Sequence, residues 1–197
     1  MKKTTLSLNL PTDPRWANIA EKSLESILVD HAYCEQKAAS SCISLIVQFP
    51  DKSKLVEMLA PVVAEEWGHF ERVLGQLRKR GYHLGRQRKD EYVAELNHQI
   101  RKGGSREEHL MEKLLINALI EARSCERFKV LANHLEDSEL SSFYQELVVS
   151  EAAHYRIFLT LAREYMPVEV VDVRWKELLK TEAEIMGRMS LRGDRMH

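Results

Sequence analysis

The chain has 197 residues, 44% of them hydrophobic and 30% charged, with a formal net charge of -1. That size and balance suit one soluble domain, residues 1–197, with a full core, and exclude a disordered chain. Eight Gly and five Pro are too few for a sheet-rich fold of many tight turns, and no apolar run approaches the length of a membrane span.

Met1-Lys2-Lys3 opens like a secretion signal, but the stretch from Thr4 to Pro11 is too polar and too short to be its apolar core. Residues 1–13 read as an extended leader ending at Asp13-Pro14, which can start a helix. The first helical pattern runs from Pro14 to about Phe49, with Leu24, Leu28, His31, Glu35, Ala38, Cys42 and Leu45 on one stripe. After Pro50-Asp51, where Asp51 or Ser53 can cap, a second helix extends to Arg80-Gly81. It carries Leu55, Leu59, Val62, Glu66, His69, Val73 and Leu77 inward and has Pro61 as a possible bend.

A connection over 82–104 follows, long enough to hold a short helix from Asp90 to Lys102. From Arg78 to Arg106 there are nine Lys or Arg against three acidic residues, the most basic part of the chain. This reads either as a solvated loop beside a helix C-terminus or as a contact for phosphates. The capping box Ser105-Arg106-Glu107-Glu108 opens a third helix to about Leu135, with Leu114, Ala118, Glu121, Cys125 and Phe128 on its stripe. Asp137-Ser138 caps a fourth, in which Leu140, Tyr144, Leu147, Glu151, His154, Phe158 and Leu161 face inward. A last amphipathic helix spans Val170 to Met189, and 190–197 is expected to fray.

The informative feature is a repeated set of polar residues on these apolar stripes. Glu66-x-x-His69 recurs 85 residues later as Glu151-x-x-His154, and on a helix residues three apart share a face. With 23 Glu and 8 His, chance supplies roughly one such pair, and Glu95-x-x-His98 is a third. The first two each have a Glu on an apolar stripe about one hairpin earlier, Glu35 at 31 residues and Glu121 at 30. Glu126 lies about 140° around the helix from Glu121, so Glu121 is chosen and Glu126 is left to stand beside the ligands or in an ion pair.

Two helical hairpins each supplying Glu, Glu and His, joined by one long crossover, are the pattern of an all-α, ferritin-like four-helix bundle, here with an additional C-terminal helix. Glu35, Glu66, His69, Glu121, Glu151 and His154 would form a dinuclear carboxylate site. Hard oxygen donors with two imidazoles and no thiolate suit iron or manganese better than structural zinc. His31, one turn before Glu35, reads as a hydrogen-bonded core histidine, with orientation of a ligand as the second reading. Tyr33, Trp67 and Tyr155 read as packing residues. Cys34, Cys42 and Cys125 form no Cys-x-x-Cys pair and read as reduced thiols of a cytoplasmic protein.

The segments Asp30-His31-Ala32-Tyr33-Cys34-Glu35-Gln36-Lys37-Ala38-Ala39-Ser40, Glu65-Glu66-Trp67-Gly68-His69-Phe70 and Glu121-Ala122-Arg123-Ser124-Cys125-Glu126-Arg127-Phe128 carry a more specific likeness. With the Leu10 to Trp16 leader and Ser150-Glu151-Ala152-Ala153-His154, they resemble the bacterial tRNA 2-methylthio-N6-isopentenyladenosine hydroxylases, the MiaE family. The resemblance implies a nonhaem di-iron monooxygenase with two iron ions at those six residues. It would use O2 and an external electron donor, a reductase or ferredoxin-type protein, to hydroxylate the isopentenyl group of an adenosine beside the anticodon. The tRNA would meet the basic crossover at Arg86, Arg88 and Lys89. A ferritin-like peroxidase or ferroxidase, and a noncatalytic bundle stabilised by metal, would share the ligand set.

Overall fold

The computed structural model describes residues 5–197; Met1-Lys2-Lys3 and Thr4 of the expected leader lie outside the described residues. Beyond a 3-10 turn at Thr5–Ser7, all regular structure among them is α-helical: α1 Arg15–Glu21, α2 Leu24–Gln48, α3 Ser53–Lys79, α4 Glu91–Asn97, α5 Arg106–His134, α6 Ser138–Tyr165 and α7 Val168–Arg188. None of these helices is long and apolar enough to cross a membrane. The described residues divide into two compact units, one of residues 15–89 and 192–196, the other of 5–14, 90–191 and 197.

In the first unit α2 and α3 pair as a hairpin through a short turn after Phe49. Leu28, His31, Glu35, Cys42 and Leu45 are buried on α2, and the whole expected α3 stripe from Leu55 to Leu77 is buried. The helix expected to run unbroken from Pro14 is interrupted at Lys22-Ser23. That break lets α1 bury Trp16, Ala17 and Ala20 while the Trp16 indole donates to the Arg192 carbonyl (2.9 Å). The expected cap of α3 by Asp51 or Ser53 is also corrected: Lys52 holds the N-cap position and no side chain caps it. The helix continues through Pro61 and ends in a Schellman turn, with Gly81 at φ 72°, its N–H on Arg78 O and the Tyr82 N–H on Leu77 O.

The tail expected to fray is instead folded against this unit. Met196 is fully buried and its N–H donates to Asp30 Oδ2 (2.8 Å). Gly193 passes so close to α1 that a Cβ there would stand 2.4 Å from Ile19 O. Arg88 joins the same anchor, donating to Asp194 Oδ2 (3.1 Å), Asp194 O (2.8 Å) and Ser26 O (2.7 Å). Backbone hydrogen bonding, rather than composition, therefore decides the fate of this polar segment.

In the second unit α5 and α6 form the other hairpin, and α7 packs on both. The capping box at Ser105 and Glu108 forms as expected, and Asp137 caps α6 through Leu140 N (3.0 Å). The crossover helix is shorter than the expected Asp90 to Lys102. Every residue from Glu121 to Phe128 is buried, because the leader and α7 cover the face of α5 that periodicity assigns to solvent. Arg123 satisfies that covered face: Nε and Nη2 donate to Glu182 Oε1 on α7 (2.9 and 2.7 Å), Nη2 to Leu10 O (3.0 Å), and Nη1 to Glu126. Glu126 in turn accepts from Thr12 N (3.1 Å) and Thr12 Oγ1 (2.6 Å), and Tyr92 Oη of α4 donates to Glu182 (3.2 Å). One guanidinium thus joins the leader, α4, α5 and α7.

Arg123→Met should destabilise the protein by about 3–5 kcal/mol in urea unfolding, because it leaves the Glu126 and Glu182 carboxylates buried without their cation. The double variant Arg123→Met/Glu182→Met should recover a large part of that loss.

Candidate metal centre

The first unit brings one sequence triad together. Glu35 projects from the buried stripe of α2, and Glu66 and His69 share one face of α3 through their three-residue spacing. His69 Nδ1 lies 3.7 Å from Glu35 Oε2 and 3.6 Å from Glu66 Oε2. His31 Nε2, one turn before Glu35 on α2, lies 2.5 Å from Glu35 Oε1. All of these residues are at most 5% exposed.

The second unit repeats the arrangement. Glu121 comes from α5, Glu151 and His154 from α6, and one ligand atom of each lies within 4.8 Å of the other two. These three residues are again no more than 3% exposed. In both units, then, the residues selected by the doubled Glu...Glu-x-x-His pattern converge. Glu95 and His98, the pair without an earlier Glu on an apolar stripe, form a surface contact of 3.9 Å with most of the His98 side chain in solvent.

Electrostatics shows what the triad of α2 and α3 demands. Burial opposes ionisation of Glu35, but hydrogen bonds from His31 and His69 outweigh it and hold the carboxyl well below the usual carboxylate range. Burial likewise opposes the charged form of His69, while Glu35 and Glu66 prevail and raise it to about 10. Without a metal, two carboxylates hold a proton on the imidazole between them. A divalent cation bound to the same atoms would replace that proton and take the imidazole lone pair, so binding would release protons. Two oxygen-donor side chains and one imidazole per triad, with no thiolate, fit iron or manganese.

Several other expectations change in the folded chain. Trp67, expected to pack, is 48% exposed, with its ring 5.0 Å from that of Phe70. Tyr155 does pack, 5.9 Å from Trp175, and Tyr33 Oη donates to Gly85 O (2.9 Å). Arg86 and Lys89 are exposed, whereas the Arg88 guanidinium serves the tail anchor described above. The three cysteines are free thiols, and burial pushes Cys125 up to about 11, which makes it a poor nucleophile. Arg127 is brought down to about 9 by burial and by the neighbouring Arg123.

Three important polar residues, Asp30, Arg123 and Glu182, had no expected role. Glu182 carried a readable signal, since Val171, Trp175, Leu178, Glu182 and Ile185 step by four and three along α7, the same intrusion of a carboxylate into an apolar stripe that marks the triads. Asp30 and Arg123 carried none, because their partners come from the chain terminus and from a helix 59 residues away.

The model of the family described as tRNA-(ms2io6A)-hydroxylase (MiaE) matches residues 1–197. A tRNA 2-(methylsulfanyl)-N(6)-isopentenyladenosine(37) hydroxylase of Pseudomonas putida is 39% identical over 158 residues, 80% of this chain and 76% of that protein. An enzyme of the same name from Salmonella typhimurium is 26% identical, with 91% of this chain and 83% of the relative covered. Among solved structures, a Synechococcus protein with aldehyde deformylating oxygenase activity superposes with a TM-score of 0.90 at 34% identity, over 96% of this chain and 94% of that one. The all-α, ferritin-like fold class expected from the sequence is borne out, and the chain, matched along its whole length, belongs to the MiaE family of tRNA hydroxylases.

Proposed function

We propose that this protein hydroxylates the isopentenyl group of 2-(methylsulfanyl)-N6-isopentenyladenosine at position 37 of tRNA, beside the anticodon, in the cytoplasm. In this reading the Glu35, Glu66, His69 triad and the Glu121, Glu151, His154 triad are the residues that hold two iron ions. The observation that carries the reading is the pair of buried, sequence-repeated triads in a chain matched throughout by the hydroxylase family. Such a pair of ions would supply the activation of O2 and the insertion of one oxygen atom, with electrons from a reductase or ferredoxin-type donor.

The protein's own part is charge, placement and exclusion of water. Each triad contributes two carboxylates, so one divalent ion per triad neutralises it and permits its burial. Val62 and Val73 on the α3 stripe, and Leu147 and Phe158 on the α6 stripe, flank the ligands with buried apolar surface that keeps bulk water away. At the crossover the exposed Arg86 and Lys89 contact tRNA phosphates, while Arg88 holds the tail and so helps shape the surface that carries them.

Treatment of prenylated tRNA with iron-loaded protein, a reductant and 18O2 should add one labelled oxygen to the modified nucleoside, read by mass spectrometry. Oxygen consumption or iron deposition with an unchanged nucleoside would instead favour the peroxidase or ferroxidase reading. Turnover of an aldehyde but not of tRNA would transfer the assignment to the activity of the Synechococcus protein. Elemental analysis should find two irons per chain, and fewer in Glu66→Ala or Glu151→Ala. Removing the metal should lower apparent stability by about 5 kcal/mol, about 2.7 for each of two independent sites, relative to protein with free metal near 100 times its Kd. Arg86→Glu/Lys89→Glu should weaken tRNA binding and flatten its log–log salt dependence by roughly two units; an unchanged slope would remove the crossover from the interface.

A further inference from the structure

The two triads have the same residue types and nearly the same spacing, yet they differ one turn before the first Glu. Four residues ahead of Glu35 stands His31; four residues ahead of Glu121 stands Asn117. The Asn117 amide is shorter, and its Nδ2 donates to Lys113 O of its own helix (2.8 Å). His31 is fully buried, and its Nε2 meets Glu35 Oε1 at 2.5 Å, leaving Oε2 as the oxygen directed toward His69. The turn of α2 that carries His31 is pinned from its other side, where the neighbouring Asp30 carboxylate accepts the Met196 N–H at 2.8 Å.

From this geometry we propose that His31 is a positioning residue for the metal centre: by donating Nε2–H to Oε1 it restricts Glu35 to ligation through Oε2 alone and makes the two metal positions chemically unequal. The inference rests on the reading of Glu35 as a ligand. A carboxylate with both oxygens available can chelate one ion, bridge two, or move between these modes. One oxygen held by a rigid imidazole on the same helix face leaves a single directed donor. A merely structural histidine would contribute to folding and leave the ligand sphere as it was.

Cobalt(II) titration of the metal-free protein, followed by d–d absorption, separates these cases. Wild type should bind two ions. His31→Leu should weaken one of them by roughly 10–100-fold, the usual effect of removing a group that orients a ligand, and shift its d–d bands. His31→Gln, which keeps an N–H donor, should restore affinity to within about threefold of wild type. His31→Leu protein with both wild-type affinities and a wild-type spectrum would overturn the proposal while leaving the metal centre intact. Wild type that binds no cobalt would remove the centre itself, and the inference with it. Should the leucine variant fail to fold, nitrogen-15 NMR of zinc-loaded wild type still decides. A slowly exchanging Nε2–H on His31 is expected, and an unprotonated Nε2 would overturn the proposal.

Discussion

A carboxylate cannot leave water without a positive charge or a hydrogen-bond donor to meet it, and this constraint governs the structure at every level. The side chains of Glu35, Glu66, Glu121 and Glu151 are all buried on the apolar stripes of long helices. An unmatched ionised group there would cost several kcal/mol even after relaxation. The pairing of each carboxylate couple with a histidine, and the drive to keep His69 protonated beside Glu35 and Glu66, express a demand for positive charge that a bound metal would answer.

The same constraint is met differently a turn away. On α5, Glu121 faces its triad, while Arg123 and Glu126 on the opposite side are covered by the leader and α7. There the countercharge is covalently part of the chain: one guanidinium serves Glu126 and Glu182 together. A second such unit occurs where Arg174 reaches Glu112 with both Nε (2.6 Å) and Nη2 (2.8 Å) and also caps the Gln99 carbonyl (2.7 Å). Planar, multidentate arginine is suited to this task because its donors match carboxylate geometry without retaining a full hydration shell. Arginine closes a site, whereas a metal with exchangeable positions would keep it chemically open, and the arginine clamp and the Glu121 carboxylate lie on opposite faces of one helix.

Burial by covering segments also explains where periodicity misleads. A stripe pattern identifies the face of a helix that meets its hairpin partner, but it cannot see a second layer. Arg123, Glu126 and Arg127 look like an ordinary solvated face until the leader and α7 are laid over them. The terminal Arg192 to Met196 stretch looks dispensable until Asp30, Trp16 and Arg88 are found to hold it. Arg88 illustrates the same point, since its guanidinium is tied to the tail while Arg86 and Lys89 are exposed.

What the sequence determined by itself was whatever depends on spacing along a single helix: the helical class, the two hairpins, the capping box at Ser105 and the inward Glu and His residues, since a 3.6-residue period converts intervals of three and four directly into a shared face. What only the tertiary structure decided was whatever depends on partners distant in the chain. The Arg123 clamp, the folded tail, the break between α1 and α2 and the attachment of His31 to one oxygen of Glu35 are of that kind, because side-chain geometry and contacts across many residues leave no periodic trace.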